Sequence, residues 1–419
     1  MTAEAGTGVR GGSAGPPARR RRGEGPPPRR VEAAATLTLA AVAFVIVTGE
    51  ILPVGLLGDI ARGVGATEGQ VGLTVSWYAL IAAGTAVPLT RWSARLDRRH
   101  VLLASAAVFG AGHLLAALAP NVAVLGAGRG LAALGHGVFF AVAAPTAVRL
   151  AVGSPNRAGG RVMVGGAMAL VVGAPVATFL GQAAGWRAGM LAVTAVALLL
   201  TLAVARLVPS LPGLAPRAGE PGHGLLDTLR TPRLGTVMVV TLLLVAGHFA
   251  MFTYVAPYAD ERLGLRGAAF TAVLLAYGCA AVVGSNLGGR LADRRPVGGV
   301  RAAAATFAAA LLGVGLAGWL RLPVAAVPLL LVWGGAFSVL VVSFALAVLR
   351  RAPGPRAETA NAAHGIVFQV GIVTGSALGT AWYEAGALPA LPLFAAAAGL
   401  AGFALTVRSG AAFAGERAG

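Results

Sequence analysis

The chain has 419 residues, 57% of them hydrophobic and only 11% charged, with a mean hydropathy of +0.79 and a net charge of +18. A soluble domain carries about a quarter charged residues, so composition excludes an ordinary soluble globular protein and indicates a polytopic membrane protein. The positive charge does not indicate nucleic-acid binding, because the arginines lie in the N-terminal tail and between apolar runs rather than along one soluble domain.

All 33 basic residues are arginine. The absence of lysine excludes a phosphate-binding Gly-Lys loop and, with it, ATP-driven transport by this chain. The single cysteine, Cys279, excludes an intrachain disulfide and a cysteine metal cluster. No His and carboxylate cluster has metal-ligand spacing. No nucleophile–base pair is suggested by spacing, so the chain is not read as an enzyme, and no cofactor is expected.

Residues 1–32 are rich in Arg, Pro and Gly and are expected to form a disordered basic tail. Gly11-Gly12-Ser13-Ala14-Gly15 matches a hydrolase motif formally, but no strand precedes it and no helix follows. The apolar run that follows is too long for a signal peptide and is read as a retained first helix.

Crossing a bilayer takes about 20 mostly apolar residues. Twelve stretches qualify: 33–57, 69–90, 101–119, 122–147, 161–182, 187–208, 234–258, 268–290, 300–320, 322–349, 360–383 and 387–407. The interruption at 209–233 reads as a linker, with a short surface helix expected around Leu225 to Leu229. The expected division is a tail (1–32), a first six-helix bundle (33–208), the linker (209–233), a second bundle (234–408) and a tail (409–419). The fold class is all-α: twelve transmembrane helices in two pseudo-symmetric six-helix bundles.

Internal repetition supports two halves. Asp97-Arg98-Arg99 and Asp293-Arg294-Arg295 lie between the second and third stretches of each half. Pro53 near the end of the first stretch is matched with Pro257 near the end of the seventh. Arginine placement sets orientation, since loops on the inner side carry the excess. With the N-terminus inside, 27 of the 33 arginines fall at inner segments. Both termini are therefore expected on the cytoplasmic side of the membrane.

The fifth stretch places small residues at Gly165, Ala169, Gly173, Ala177, Gly181 and Gly185, and the eleventh at Gly371, Gly375 and Gly379. Such a stripe lets helix backbones approach closely, although an Ala/Gly-rich chain also produces stripes by chance. Gly173, Pro175, Ala177 and Gly181 are the expected packing positions.

Charged groups inside the hydrocarbon cost a few kcal/mol, about 2.5–3.5 on the lenient insertion scale. Glu50 is the one acidic residue well inside a stretch, and Arg129 the one comparably deep base. Burial disfavours a charged carboxyl and a nearby cation favours it. Glu50 therefore reads either as a proton carrier coupled to Arg129 or as a structural partner, with Arg129 satisfying backbone carbonyls. His136 and His248 are further proton-coupling candidates, against the common alternative of hydrogen-bonded core histidines. Tyr254, Phe252, Trp77, Tyr78, Asn361 and Gln369 are substrate-binding candidates, with lipid or helix packing the competing reading for the aromatics. His364 lies on the same stretch as Asn361 and Gln369.

These residues resemble the Major Facilitator Superfamily, specifically its twelve-helix bacterial drug:proton antiporters, over about residues 33–408. Gly289-Arg290-Leu291-Ala292-Asp293-Arg294-Arg295 is similar to the family's loop signature, while the first copy departs from it, with Ala94 where the signature has its Asp. Gly173-Ala174-Pro175 resembles the antiporter signature with one residue inserted, and Arg129 with Gly135-His136-Gly137 resembles the fourth-helix arginine motif. Thr48 to Leu56 resembles the first-helix signature of a sugar-efflux and chloramphenicol-resistance branch. The resemblance implies gating loops at Asp97, Arg98, Arg99, Gly289, Asp293 and Arg294. It also implies export of a drug, sugar or related metabolite in exchange for protons, by a monomer. Proton-coupled uptake, and a non-transporting receptor or assembly factor, are the alternatives.

Overall fold

The computed structural model describes residues 28–152, 155–213, 232–351 and 356–414. Most of the basic tail, most of the linker with its expected surface helix, and the last five residues lie outside the described residues.

A chain in lipid has no water to satisfy its peptide groups, so long helices are the economical solution. In the first half these are α1 (Arg29–Gly55), the short α2 (Leu57–Val64), α3 (Glu68–Trp92), α4 (Arg98–Ala117), α5 (Val122–Leu150), α6 (Pro155–Met168), α7 (Ala174–Ala184) and α8 (Trp186–Leu207). In the second they are α9 (Pro232–Phe252), the short α10 (Val255–Leu263), α11 (Gly267–Arg294), α12 (Pro296–Trp319), α13 (Pro323–Arg351), α14 (Arg356–Glu384) and α15 (Leu391–Arg408). Among the described residues, eleven helices are long and apolar enough to cross a membrane, α6 and α7 counting as one. The 25-residue α3 has similar length and fills the twelfth place.

Local chemistry sets the helix starts. Thr67 and Gln70 form a reciprocal capping box at α3, the Asn121 side chain accepts from the Val124 N–H at 3.0 Å, and Asp97 caps α4. Gly185, at φ 90°, turns the chain from α7 into α8.

The halves share a register. The first helix of each half breaks at Leu56 (φ −126°, ψ 21°) and at Tyr254 (φ −110°, ψ 20°). The short helices end on left-handed glycines, Gly65 (φ 64°) and Gly264 (φ 65°). Helices α5 and α13 are both 29 residues long. This register corrects the proline match read from sequence: Pro53 lies inside α1 before its break, and Pro257 lies inside α10 after the corresponding break. Each proline sits near a similar kink, but on opposite sides of it.

Between α6 and α7 the backbone makes one π turn, Ala169–Gly173. Pro175 has no N–H to bond back along the helix, and the widened turn accommodates that loss. The turn lies against α11, where a Cβ on Gly278 would collide with the Leu170 and Val171 backbone.

The small-residue stripes are packing seams. A Cβ at Gly165 would collide with the Ala40 carbonyl, at Gly173 with Thr48 and at Gly181 with Leu56, all on α1 or at its end. Ala177 is buried on the same face. Gly375 and Gly379 meet the backbone at Ala246 and Ala250 of α9 in the same way. Gly165→Leu is expected to cost about 1–3 kcal/mol as an overpacked contact. Phe179→Leu, at a position 52% exposed, is expected to be mild. Melting temperatures in matched detergent check the difference.

Among the described residues, the halves meet along two antiparallel seams and where α10 packs on the end of α1 and on α2, toward the face away from the termini. On the α3–α14 seam, Thr67 Oγ1 donates to Glu384 at 3.2 Å, the Tyr383 hydroxyl donates to Glu68 at 2.9 Å, and Ser76 meets Ser376 at 2.6 Å. Farther along the same helices, a Cβ on Gly84 or Gly365 would meet nothing within 4 Å. On the second seam Thr271 donates to Gln182 at 3.1 Å and Gly278 abuts the π turn, whereas Gly160 and Gly289 have open space. The inter-half cavity is thus closed at the far face and open toward the face that carries the termini.

Candidate functional site

Pro53 organises the site. In a helix, the carbonyl of Gly49 would accept the N–H of residue 53, and proline has none. The freed carbonyl accepts from Arg129 Nη1 at 2.8 Å, and Nη2 donates to the Glu50 carbonyl at 2.8 Å. The guanidinium carbon lies 4.4 Å from the centroid of the Tyr78 ring, over its face. Arg129 is fully buried. Gly49 permits the approach of α4, since a side chain there would collide with His113 and Phe109.

The Glu50 carboxyl goes elsewhere. Its Oε2 lies 3.5 Å from His136 Nδ1, and the same nitrogen lies 3.1 Å from the Tyr78 hydroxyl. Glu50 and His136 keep 15% and 12% of their side-chain surface exposed, so both reach the edge of the cavity while Arg129 is sealed behind them. The arrangement is a chain: buried cation, tyrosine ring and hydroxyl, histidine, carboxyl. Arg129 meets the backbone of Glu50 rather than its carboxylate, which is the contact expected of an arginine satisfying backbone carbonyls.

The other expected site residues separate into four places. Phe252 and His248 join an aromatic cluster in the second half, with ring centroids 5.2 Å apart. Tyr254 belongs to the far-face closure: it is buried, its hydroxyl donates to Thr380 at 2.6 Å, and its ring stacks on Tyr383 at 4.6 Å. On the open half of α14, Asn361 is exposed and Gln369 half-buried, with His364 buried 3.4 Å from the Thr241 hydroxyl. Trp77 is 47% exposed and lies over Gly130 of α5, apart from the Glu50 chain that Tyr78 joins.

Asp97 has a local role the sequence did not show. The segment after α8 turns back across the first basic loop. The Leu211 carbonyl accepts from the Arg98 N–H at 2.8 Å, and the Pro212 carbonyl accepts from Arg149 at 3.0 Å. Arg99 reaches the Ala205 carbonyl, and Ser210 donates to Asp97. Burial pushes the Asp97 carboxyl up, but the Ser210 hydroxyl and the N–H groups of Arg99 and His100 outweigh it, so it titrates below the usual aspartate value. In the second loop, Asp293 and Arg294 are exposed, and Arg350 donates to the Ala292 carbonyl at 3.2 Å. Asp97→Ala is expected to cost about 1 kcal/mol through loss of the cap. A carboxyl with a depressed value stabilises above its unfolded value and loses that effect as pH falls. The gap in melting temperature between wild type and Asp97→Ala should therefore be full above pH ~4 and shrink below it.

Comparison with known proteins accords with this geometry. Residues 39–376 match the family model described as Major Facilitator Superfamily. Chloramphenicol efflux pumps from two Mycobacterium tuberculosis strains are each 38% identical over 376 residues, covering 88% of this chain and 90% of theirs. Among solved structures, a peptide transporter in complex with alafosfalin aligns with TM-score 0.73 at 15% identity, covering 94% of this chain and 97% of that one. A bacterial homologue of the human lysosomal transporter Spinster, inward-facing and occupied, aligns with TM-score 0.71 at 16% identity, covering 92% and 97%. The protein is thus a multi-pass membrane transporter and not an enzyme, and the chain belongs to the Major Facilitator Superfamily.

Proposed function

We propose that this chain exports a small uncharged molecule across a bacterial inner membrane in exchange for protons, with Glu50 as the proton carrier and His136 as its partner. The carrying observation is the Glu50–His136 contact of 3.5 Å at the cavity edge. A carboxyl beside an imidazole gives one proton two neighbouring sites, so the pair can take it up from the cavity and hand it back. Arg129 holds the kinked backbone of α1 and places positive charge beside the site throughout the cycle.

The arginine bias supports a cytoplasmic location for both termini. The cavity then opens to the cytoplasm, ready to load cargo, and the far-face seams on α3–α14 and α7–α11 are the contacts that must part for release. Rocking of the residue 33–208 bundle against the residue 234–408 bundle about the central site accomplishes the exchange, and a monomer suffices for it. The cavity side chains named above include one carboxylate, Glu50, which favours uncharged cargo over multivalent cations. Chloramphenicol is the first compound to test, because the mycobacterial relatives are described as chloramphenicol efflux pumps.

The test uses purified protein in proteoliposomes with an imposed pH difference. Exchange for protons predicts that radiolabelled chloramphenicol accumulates in vesicles with an acidic lumen. Accumulation in alkaline-lumen vesicles would indicate proton-coupled uptake, and no movement with either gradient would favour a receptor role.

A further inference from the structure

The register of the two halves exposes a second site. Counting from the helix breaks at Leu56 and Tyr254, Glu50 of α1 corresponds to His248 of α9, and each follows a glycine, Gly49 or Gly247. Counting from the starts of α3 (Glu68) and α11 (Gly267), Tyr78 corresponds to Tyr277. Counting from the starts of α5 (Val122) and α13 (Pro323), His136 corresponds to Phe337, and Arg129 to Leu330. The charged chain of the first half is therefore repeated in the second as an uncharged aromatic cage.

The contacts repeat as well. Glu50 meets His136, and His248 stacks on Phe337 with centroids 3.5 Å apart and planes at 6°. Trp333 closes the cage, 4.9 Å from His248 and 5.4 Å from Tyr277. Tyr277 lies against α13 because Gly334 has no side chain there: a Cβ would stand about 2.5 Å from its ring.

One consequence of the replacement is chemical. Tyr78 has a hydrogen-bond partner in His136, but phenylalanine at 337 offers Tyr277 none. The Tyr277 hydroxyl, Trp333 Nε1 and His248 Nδ1 are all buried without a hydrogen-bond partner among the described residues. The three residues are 9%, 0% and 3% exposed. Buried polar atoms are normally paired, and three orphans in one cage point to a ligand that pairs them. Trp Nε1 can only donate and Tyr can donate, so the complementary group presents oxygen acceptors. The walls favour a flat ring. Phe337 and Phe249 are half-buried and pack against a small cluster of Val75 and Ala79 of α3 with Val245 and Ile372 of the second half, so this side of the cage lies toward the boundary between the halves.

We propose that His248, Tyr277 and Trp333 form the recognition subsite for the transported molecule, which carries an uncharged aromatic ring bearing oxygen acceptors. Rotation of Phe337 off His248 admits the ring, and the acceptors take the Tyr277 O–H and the Trp333 N–H. This rests on the reading of the cargo as small and uncharged, and it narrows that class.

The test is calorimetric titration of the purified full-length protein in detergent with two near-isosteric probes, 4-nitrobenzyl alcohol and 4-isopropylbenzyl alcohol. The first offers two acceptor oxygens where the second offers methyl groups. Wild type should bind the nitro probe about tenfold tighter, and Tyr277→Phe and Trp333→Phe should each remove most of that preference. The isopropyl probe should be unaffected. Tyr277→Phe should also melt no lower than wild type without ligand, because it removes an unpartnered buried hydroxyl. Equal affinity for the two probes, nitro binding unchanged in both variants, or no binding of the nitro probe to wild type would each overturn the proposal; unchanged binding would mean that water satisfies these atoms. Binding in detergent needs no proton gradient, so failure of proton exchange in vesicles and failure of this subsite are separate outcomes.

Discussion

Glu50→Gln should abolish pH-driven transport while leaving cargo binding close to wild type. Glutamine keeps the volume and hydrogen-bonding capacity of the side chain at the cavity edge but cannot gain or lose a proton. The backbone carbonyl of Glu50, which Arg129 uses, is untouched by the substitution. The fold around the kink should therefore survive, and the loss should be specific to coupling. A fall in gradient-driven chloramphenicol flux of about 100-fold or more is expected, the scale of losing a positioned proton-transfer group. Energetically downhill counterflow should persist. A His136→Asn variant should show a smaller loss with an altered pH profile, because His136 assists the carboxyl without being the carrier. Full gradient-driven flux in Glu50→Gln would remove Glu50 from the mechanism.

Arg129→Ala should be the most destabilising substitution in the first half. It leaves the Gly49 carbonyl, which Pro53 deprives of its helical partner, buried without a donor. An unsatisfied buried acceptor costs about 1–3 kcal/mol, and a hydrogen bond from a charged donor contributes a comparable amount. The cation over the Tyr78 ring is lost too. A second substitution distinguishes this account from a general packing defect. Pro53→Ala restores an N–H that can bond to the Gly49 carbonyl, so the double variant Arg129→Ala/Pro53→Ala should recover part of the loss. The measurement is a double-mutant cycle of melting temperatures. Additive losses would show that the Gly49 carbonyl is not the link between the two residues.

Much of the architecture was legible because membrane helices write their length into composition. The apolar stretches found in sequence correspond to the long helices within a few residues, and the small-residue stripe of α6 and α7 lies against α1. The deep charges were equally visible, since Glu50 and Arg129 stand out against an apolar background. What sequence did not show was which atom each residue touches. The spacing Gly49 to Pro53, four residues, was the available signal that a carbonyl would be freed for Arg129. His136 appeared as an isolated histidine because its partnership with Glu50 joins α1 to α5, which only the bundle brings together. Tyr254 looked like a cavity aromatic by its position near a helix end, yet that end is the closed far face. Tyr277 and Trp333 were missed because aromatic residues in apolar helices look like packing. Their register with the first half emerges only from the helix breaks and the left-handed Gly65 and Gly264.

The exchange of cargo for a proton at Glu50 can be read without a membrane. Chloramphenicol is titrated into detergent-solubilised protein in buffers of different ionisation enthalpy, so that calorimetry reports the protons released on binding. The account predicts release of about one proton per molecule bound by wild type, at a pH where Glu50 begins protonated, and none by Glu50→Gln with affinity retained. Equal proton release from both proteins would contradict it.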